Sequence, residues 1–237
     1  MQVEQITSIE EFHRIISVYT DSNYLFRGHA NSDWKLLPKI GREEFATKLN
    51  KRITEKVLLK SFKRYALPYI TRDPTDIWDW LVLAQHHGLA TRLLDWTRNP
   101  LVALYFAVID NSKFENDAAV FILDSKYISL PTEKYKPFKS FVSGIFYPKG
   151  ISTRILSQRS VFSISGTPTE EFQELTEGRF EFKKLIISKD CVSSIIKTLE
   201  FYGINELSIN QDLENLSKYL NRFVLQKNLL PVDENDE

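Results

Sequence analysis

The 237-residue chain has one cysteine, Cys191. A lone thiol excludes an intrachain disulfide and a cysteine-built zinc site. No helix start or basic cluster beside it argues for a reactive nucleophile. Charge excess is also missing: Lys+Arg and Asp+Glu stand at 31 each. That balance removes the bulk electrostatic case for nucleic acid or an anionic membrane and leaves only local basic clefts open. No apolar run approaches the length of a membrane span, and Met1-Gln2-Val3-Glu4-Gln5 lacks the charged-then-apolar build of a signal peptide. The expectation is a soluble, cytoplasmic protein of a reducing compartment with no membrane partner. Walker and dinucleotide glycine motifs are absent, as is a Gly-x-Ser-x-Gly elbow. There is no internal repeat and no Ser/Gly-rich linker, so one domain is expected over 1–232, followed by an acidic, disordered tail at 233–237.

What is present suffices for a full core: 43% of residues are hydrophobic and 13% aromatic. Thr7-Ser8-Ile9-Glu10-Glu11-Phe12 has the form of a capped helix start. Tyr24 to His29 follows a turn cluster and reads as a short buried strand ending at Gly28. The patterning then predicts a long helix over about 43–65 and an amphipathic one from Ile77 to His87 that stops at Gly88. Leu93 to Trp96 reads as a short strand, and Asn99-Pro100 opens another helix. Ala118 to Leu123 is a continuous apolar run, expected to be a strand buried on both faces. Strands are also expected at Ile145–Pro148, Ser160–Ile164 and Phe180–Ile187, with helices at about 191–202 and 212–222. Helices dominate the first half and strands the second. The fold class expected is α+β, a helix-rich N-terminal half packed on a mixed β-sheet.

The groups able to do chemistry are concentrated. Residues 85–107 carry two of the four histidines, His86 and His87, and a third, His29, lies in Phe26-Arg27-Gly28-His29. Arg27 sits inside an apolar strand, where an unpartnered guanidinium is costly to bury. Two readings stand: a structural ion pair with Asp95, or a fork gripping a phosphate or carboxylate, with Gly28 admitting the ligand close to the backbone. His86 and His87 point about 100° apart on a helix, so one lines a site while the other caps or packs. With Asp95 the histidines lack any metal-binding spacing, and no metal is expected. Asp95 is suited to anchoring Arg27 or Arg92, Trp96 offers a stacking face to a planar ring, and Thr97 or Asn99 caps the next helix. Arg92 is either a second basic fork or the partner of a nearby carboxylate. Gln158, before a strand, reads from its residues alone as a surface side chain.

Phe26-Arg27-Gly28, Gln85-His86-His87-Gly88, Thr91 to Thr97 and Ala103-Leu104-Tyr105-Phe106-Ala107 resemble the FRG-domain family, named for its Phe-Arg-Gly motif. A weaker continuation runs through Tyr147-Pro148, Arg154-Ile155, Gln158 and Phe162, so that the resemblance spans about 20–220. On it, 1–232 is a single FRG domain. The order of an aromatic-Arg-Gly strand, a strand-Thr-helix unit and a Gln before a late strand is also similar, more weakly, to ADP-ribosyltransferases, and implies a related architecture. That second resemblance implies NAD or an ADP-ribose group as nucleotide ligand and substrate. Arg27 would then hold its phosphate or ribose, Thr97 would support the site's backbone, and Gln158 would stand where a catalytic Glu usually does. His86 or His87 would orient the ligand or transfer protons. The departures are that Asp95-Trp96-Thr97 replaces Ser-Thr-Ser, and that Gln158 carries no charge for an oxocarbenium-like transition state. Ser160 and Ile209-Asn210 further depart from the commoner FRG residues. The function so implied is a transferase modifying a protein or nucleic acid, in concrete form a toxin or phage-defence effector. The alternative is a noncatalytic module for a phosphate-bearing ligand or nucleic acid.

Overall fold

The computed structural model describes residues 1–70, 73–109, 115–139, 141–149, 158–210 and 212–226, the last five by backbone only. Arg154, Ile155, Ser157 and the acidic tail lie outside the described residues. Seven strands, β1 (Gln2–Ile6), β2 (Tyr24–His29), β3 (Leu93–Thr97), β4 (Ala118–Asp124), β5 (Gly144–Phe146), β6 (Ser160–Ile164) and β7 (Glu181–Ile187), form one mixed sheet in the order β1-β7-β4-β2-β3-β6-β5. Only β1 and β7 run parallel; every other pair is antiparallel. The α+β class holds, and three of the seven strands come from the first half of the chain. β1 has no sequence signal, because only Ile6 is buried and the ladder to β7 holds the rest.

Helix α1 (Ile9–Ile16) starts as its cap residues dictate: Ser8 Oγ accepts from Glu11 N–H, and Glu11 Oε2 accepts from Thr7 N–H at 2.8 Å. The long helix expected at 43–65 is two helices, α2 (Glu43–Ala46) and α3 (Glu55–Ala66). Between them Asn50 Oδ1 accepts from Arg52 and Ile53 N–H, and Asn50 N–H donates to Ile53 O, closing a turn. Thr54 then caps α3. Helix α4 (Ile77–His86) is capped by Asp76 and ends before Gly88, whose φ of 82° suits glycine. Asn99 caps α5 (Pro100–Val108) through Leu101 N–H, with Pro100 at the first position.

The apolar run of β4 is buried on both faces at the centre of the sheet, as its composition predicts. On one face, Phe26, Val120, Ile122 and Leu185 bury themselves against α1, α5 and α6 (Val192–Phe201). On the other, Leu25, Phe121, Leu94 and Trp96 meet Leu36, Phe172 and Phe180. A third cluster joins α3 and α4 to Leu93, Phe146 and Phe162. Cys191 is buried, and burial pushes its thiol pKa up. No described helix is long and apolar enough to cross a membrane.

Candidate functional site

The sheet is nearly split. β2 forms six pairs with β4, and β3 forms five with β6, but β2 and β3 share only Phe26 opposite Thr97. Past that pair the strands part, and a cleft of about 420 Å³ opens between them. Its lining comes from β2, β3, the starts of α2 and β6, and the end of α4.

Arg27 bridges the parting. Its side chain is 14% exposed, Nη1 donates to Asp95 O at 2.6 Å, and the same nitrogen is 3.7 Å from Asp95 Oδ2. Nε donates to His29 Nε2 at 3.0 Å. Burial pulls the arginine pKa below its ordinary value, with Asp95 opposing the shift; the group stays a cation. Among the described residues Nη2 has no protein partner, which leaves donors facing the cleft. Arg27 is thus paired with Asp95, and one edge of its fork has no partner among the described residues.

His29 is buried and its pKa lies well below the usual value, because burial and then the Arg27 charge disfavour the imidazolium. Nε2 accepts from Arg27, so Nδ1 carries the proton and faces Trp34 O at 3.4 Å. Asp95 is the one carboxylate among the described lining residues, and its side chain is 51% exposed. Gln85 Nε2 donates to its Oδ2 at 2.7 Å, and Gln85 Oε1 in turn accepts from the Thr91 hydroxyl. The cleft floor is thus one hydrogen-bonded chain from Thr91 through Gln85, Asp95 and Arg27 to His29. On the facing side, buried Thr97 donates its hydroxyl to Gln158 O at 2.6 Å and accepts from Asn99 N–H. Gln158 lines the cleft, with its amide turned to Asn210 Oδ1 at 3.3 Å. Ile209 O, at 3.5 Å, is the second acceptor of that amide.

Several expected site residues have other roles. Gly28 lines the cleft, and the space of its missing Cβ is taken by α5: a Cβ there would lie 2.1 Å from Ala103 O and 2.5 Å from Ala107 N. Trp96 offers no stacking face. It is 2% exposed, donates Nε1–H to Ser163 Oγ at 2.9 Å and packs against Phe172. Arg92 lies away from the cleft. Its backbone and Nε bond the two oxygens of Glu55 at 2.8 and 2.7 Å, Nη1 reaches Pro137 O, and its guanidinium stacks over Phe138. Burial raises the Glu55 pKa, and Arg92 opposes it. Of the adjacent histidines, His86 lines the cleft, while His87 ends α4 exposed, its ring edge-on to His86.

Two lining residues carry no motif signal. Trp34, 51% exposed, stands over His29 with ring centroids 6.2 Å apart. Arg42 reaches the cleft from the start of α2, and no described residue bonds its guanidinium. An exposed tryptophan in the polar run Asn31-Ser32-Asp33 was the available clue to the first; the second hides in a basic stretch. No described group of His, Cys, Asp and Glu is arranged to hold a metal.

Neither the curated proteins nor the solved structures give a match to the chain. A family model does: residues 22–116 match the FRG domain, a span containing every described cleft residue except Gln158, Ser160 and Phe162. The match to the FRG domain is confined to residues 22–116, and most of the described cleft lining falls within that span.

Proposed function

We propose that the cleft binds a nucleotide, NAD or an ADP-ribose-bearing compound, and acts on it as an ADP-ribosyltransferase or glycohydrolase. The carrying observation is that two guanidiniums, Arg27 through Nη2 and Arg42 throughout, face one cleft without a protein acceptor among the described residues. Phosphate is the ligand that matches paired planar forks. Trp34 takes the stacking role expected of Trp96, since it is the exposed indole of the site.

Asp95 supplies the charge that Gln158 lacks. As the N-glycosidic bond breaks, its electrons leave with nicotinamide and positive charge develops on the ribose. A half-exposed carboxylate fixed by Gln85 and Arg27 is placed to stabilise that charge. The acceptor is water or a nucleophile of a macromolecular target, with His86 at the wall to take the proton. A cytoplasmic toxin or defence effector is the cellular role consistent with such chemistry.

The test is to incubate the protein with isotope-labelled NAD and cell lysate, alongside Arg27→Ala, Arg42→Ala and Asp95→Asn, following label transfer and free nicotinamide. Turnover lost in all three, with NAD binding kept in Asp95→Asn, supports the enzyme. Binding without turnover favours a noncatalytic module, a reading that the engaged amide of Gln158 also supports. Absence of both turnover and calorimetric binding overturns the nucleotide reading.

A further inference from the structure

The balanced net charge conceals a polarised chain. Residues 39–64 hold nine of the 31 basic residues and only three acidic ones, Glu43, Glu44 and Glu55. Glu55 is buried and spent on Arg92. Of the next three acids along the chain, Asp76 caps α4 and pairs with Lys149, Asp79 accepts from Thr75, and Asp73 is exposed. The exposed cations of this stretch outnumber its exposed acids, Glu43, Glu44 and the nearby Asp73.

The cations are displayed rather than scattered. The turn closed by Asn50 carries Lys51 and Arg52 at its tip, both exposed. Lys56, Lys60 and Arg64 follow at intervals of four along α3, on one helical face, all exposed. Lys51, Arg52, Lys56 and Lys60 have no carboxylate partner among the described residues. Like charges at this spacing destabilise a helix, and Lys56 lies in its first turn, where a cation is also unfavourable. Stability does not account for the pattern. At the far end of α3, Tyr69 is 86% exposed and Tyr65 66%, with the Arg64 guanidinium stacked on the Tyr65 ring. Leu59 and Ala66, on the apolar face of α3, are buried with α4 residues, so this helix has no free apolar stripe to insert into a bilayer.

We propose that the turn at 50–53 and the outer face of α3 form a docking surface for single-stranded nucleic acid. Phosphates would lie along Lys51, Arg52, Lys56 and Lys60, and bases would stack on Tyr69 and Tyr65. A cationic track with exposed aromatic rings is the form such binding takes without sequence readout. Arg42 of the same basic segment lines the cleft, and the Glu55–Arg92 bonds fix the first turn of α3 to the chain entering β3. The proposal does not require nucleotide chemistry in the cleft.

Fluorescence anisotropy with a labelled oligothymidylate and an oligouridylate, titrated across salt concentrations, tests it. Binding should weaken linearly in log–log form, by about 0.7 per phosphate neutralised. The variant K51A/R52A/K56A/K60A should bind roughly tenfold or more weakly at about 50 mM salt, with a slope shallower by about three. Tyr69→Ala should weaken binding roughly fivefold or more with the slope unchanged. Arg27→Ala should bind as the parent does, even where it abolishes NAD turnover, which separates this surface from the cleft. Circular dichroism should show the quadruple variant folded, since it relieves repulsion. No binding at about 50 mM salt, or equal binding by the quadruple variant, overturns the proposal. So does binding to phosphatidylserine vesicles without binding to either oligonucleotide.

Discussion

Arg27 and His29, two residues apart on one strand, meet side chain to side chain, the arginine Nε donating to the histidine Nε2 at 3.0 Å. The bond requires a neutral imidazole, and burial holds its pKa well below 6.5. In the unfolded chain the same histidine takes up a proton at about 6.5. The unfolded state therefore binds more protons as pH falls below that value, and stability drops with it, by at most about 1.4 kcal/mol per pH unit. Above about pH 6.5 the contribution is complete. Urea unfolding of the parent and His29→Gln at several pH values from neutral to mildly acidic checks this. The parent should lose stability more steeply, and equal slopes would mean that His29 is protonated in the fold.

Arg92 pairs with buried Glu55 while Arg42 lines the cleft, so their variants should differ. Arg92→Ala leaves Glu55 buried with no partner, at a cost of about 3–5 kcal/mol in unfolding free energy. Arg42→Ala should leave the melting temperature almost unchanged and remove most phosphate-ligand affinity. Calorimetry and thermal melts on both variants decide the assignment.

Gly28→Ala adds one methyl group where the backbone of α5 already lies 2.1 Å away. Neither strand nor helix backbone yields cheaply, so the loss should reach about 3 kcal/mol or the chain should fail to fold. A Gly28→Ala protein with the parent's melting temperature would contradict the packing of α5 on β2.

The two tryptophans of the site should separate binding from folding. Trp34→Ala is expected to weaken a nucleotide by about two- to tenfold through lost ring contact, with little effect on stability. Trp96→Phe breaks the bond to Ser163 and leaves that hydroxyl buried, costing about 1–3 kcal/mol of stability. Paired titrations and melts distinguish them.

Much of the frame was legible because local chemistry decides it. The Asn99-Pro100 start of α5, the Gly88 stop of α4 and the apolar run of β4 each carry their own signal, and each lies where it was expected. The division of α2 from α3 was not, since Asn50 folds a turn inside a stretch whose periodicity continues on both sides. Arg27, Asp95, Thr97 and Gln158 do converge, as their motif positions suggest. Trp96 is buried where a stacking face was expected, and Arg92 takes the carboxylate-partner reading of its two, for one reason: the same residue types serve a core and a ligand site, and only burial separates them. Sequence gives no measure of how far a tryptophan on a strand sinks between sheet and loop. Trp34 and Arg42 reach the cleft through irregular chain, where no period exists to predict direction.

A sheet joined across its middle by one residue pair transmits shear poorly. The ladders on either side keep their own registers whatever the width of the seam, so the aperture can change without breaking more than one backbone pair. Arg27 then works as a tether as well as a receptor. A ligand that draws its guanidinium away from the Asp95 carbonyl also loosens the strap across the gap, and filling the cleft and altering its width become a single event.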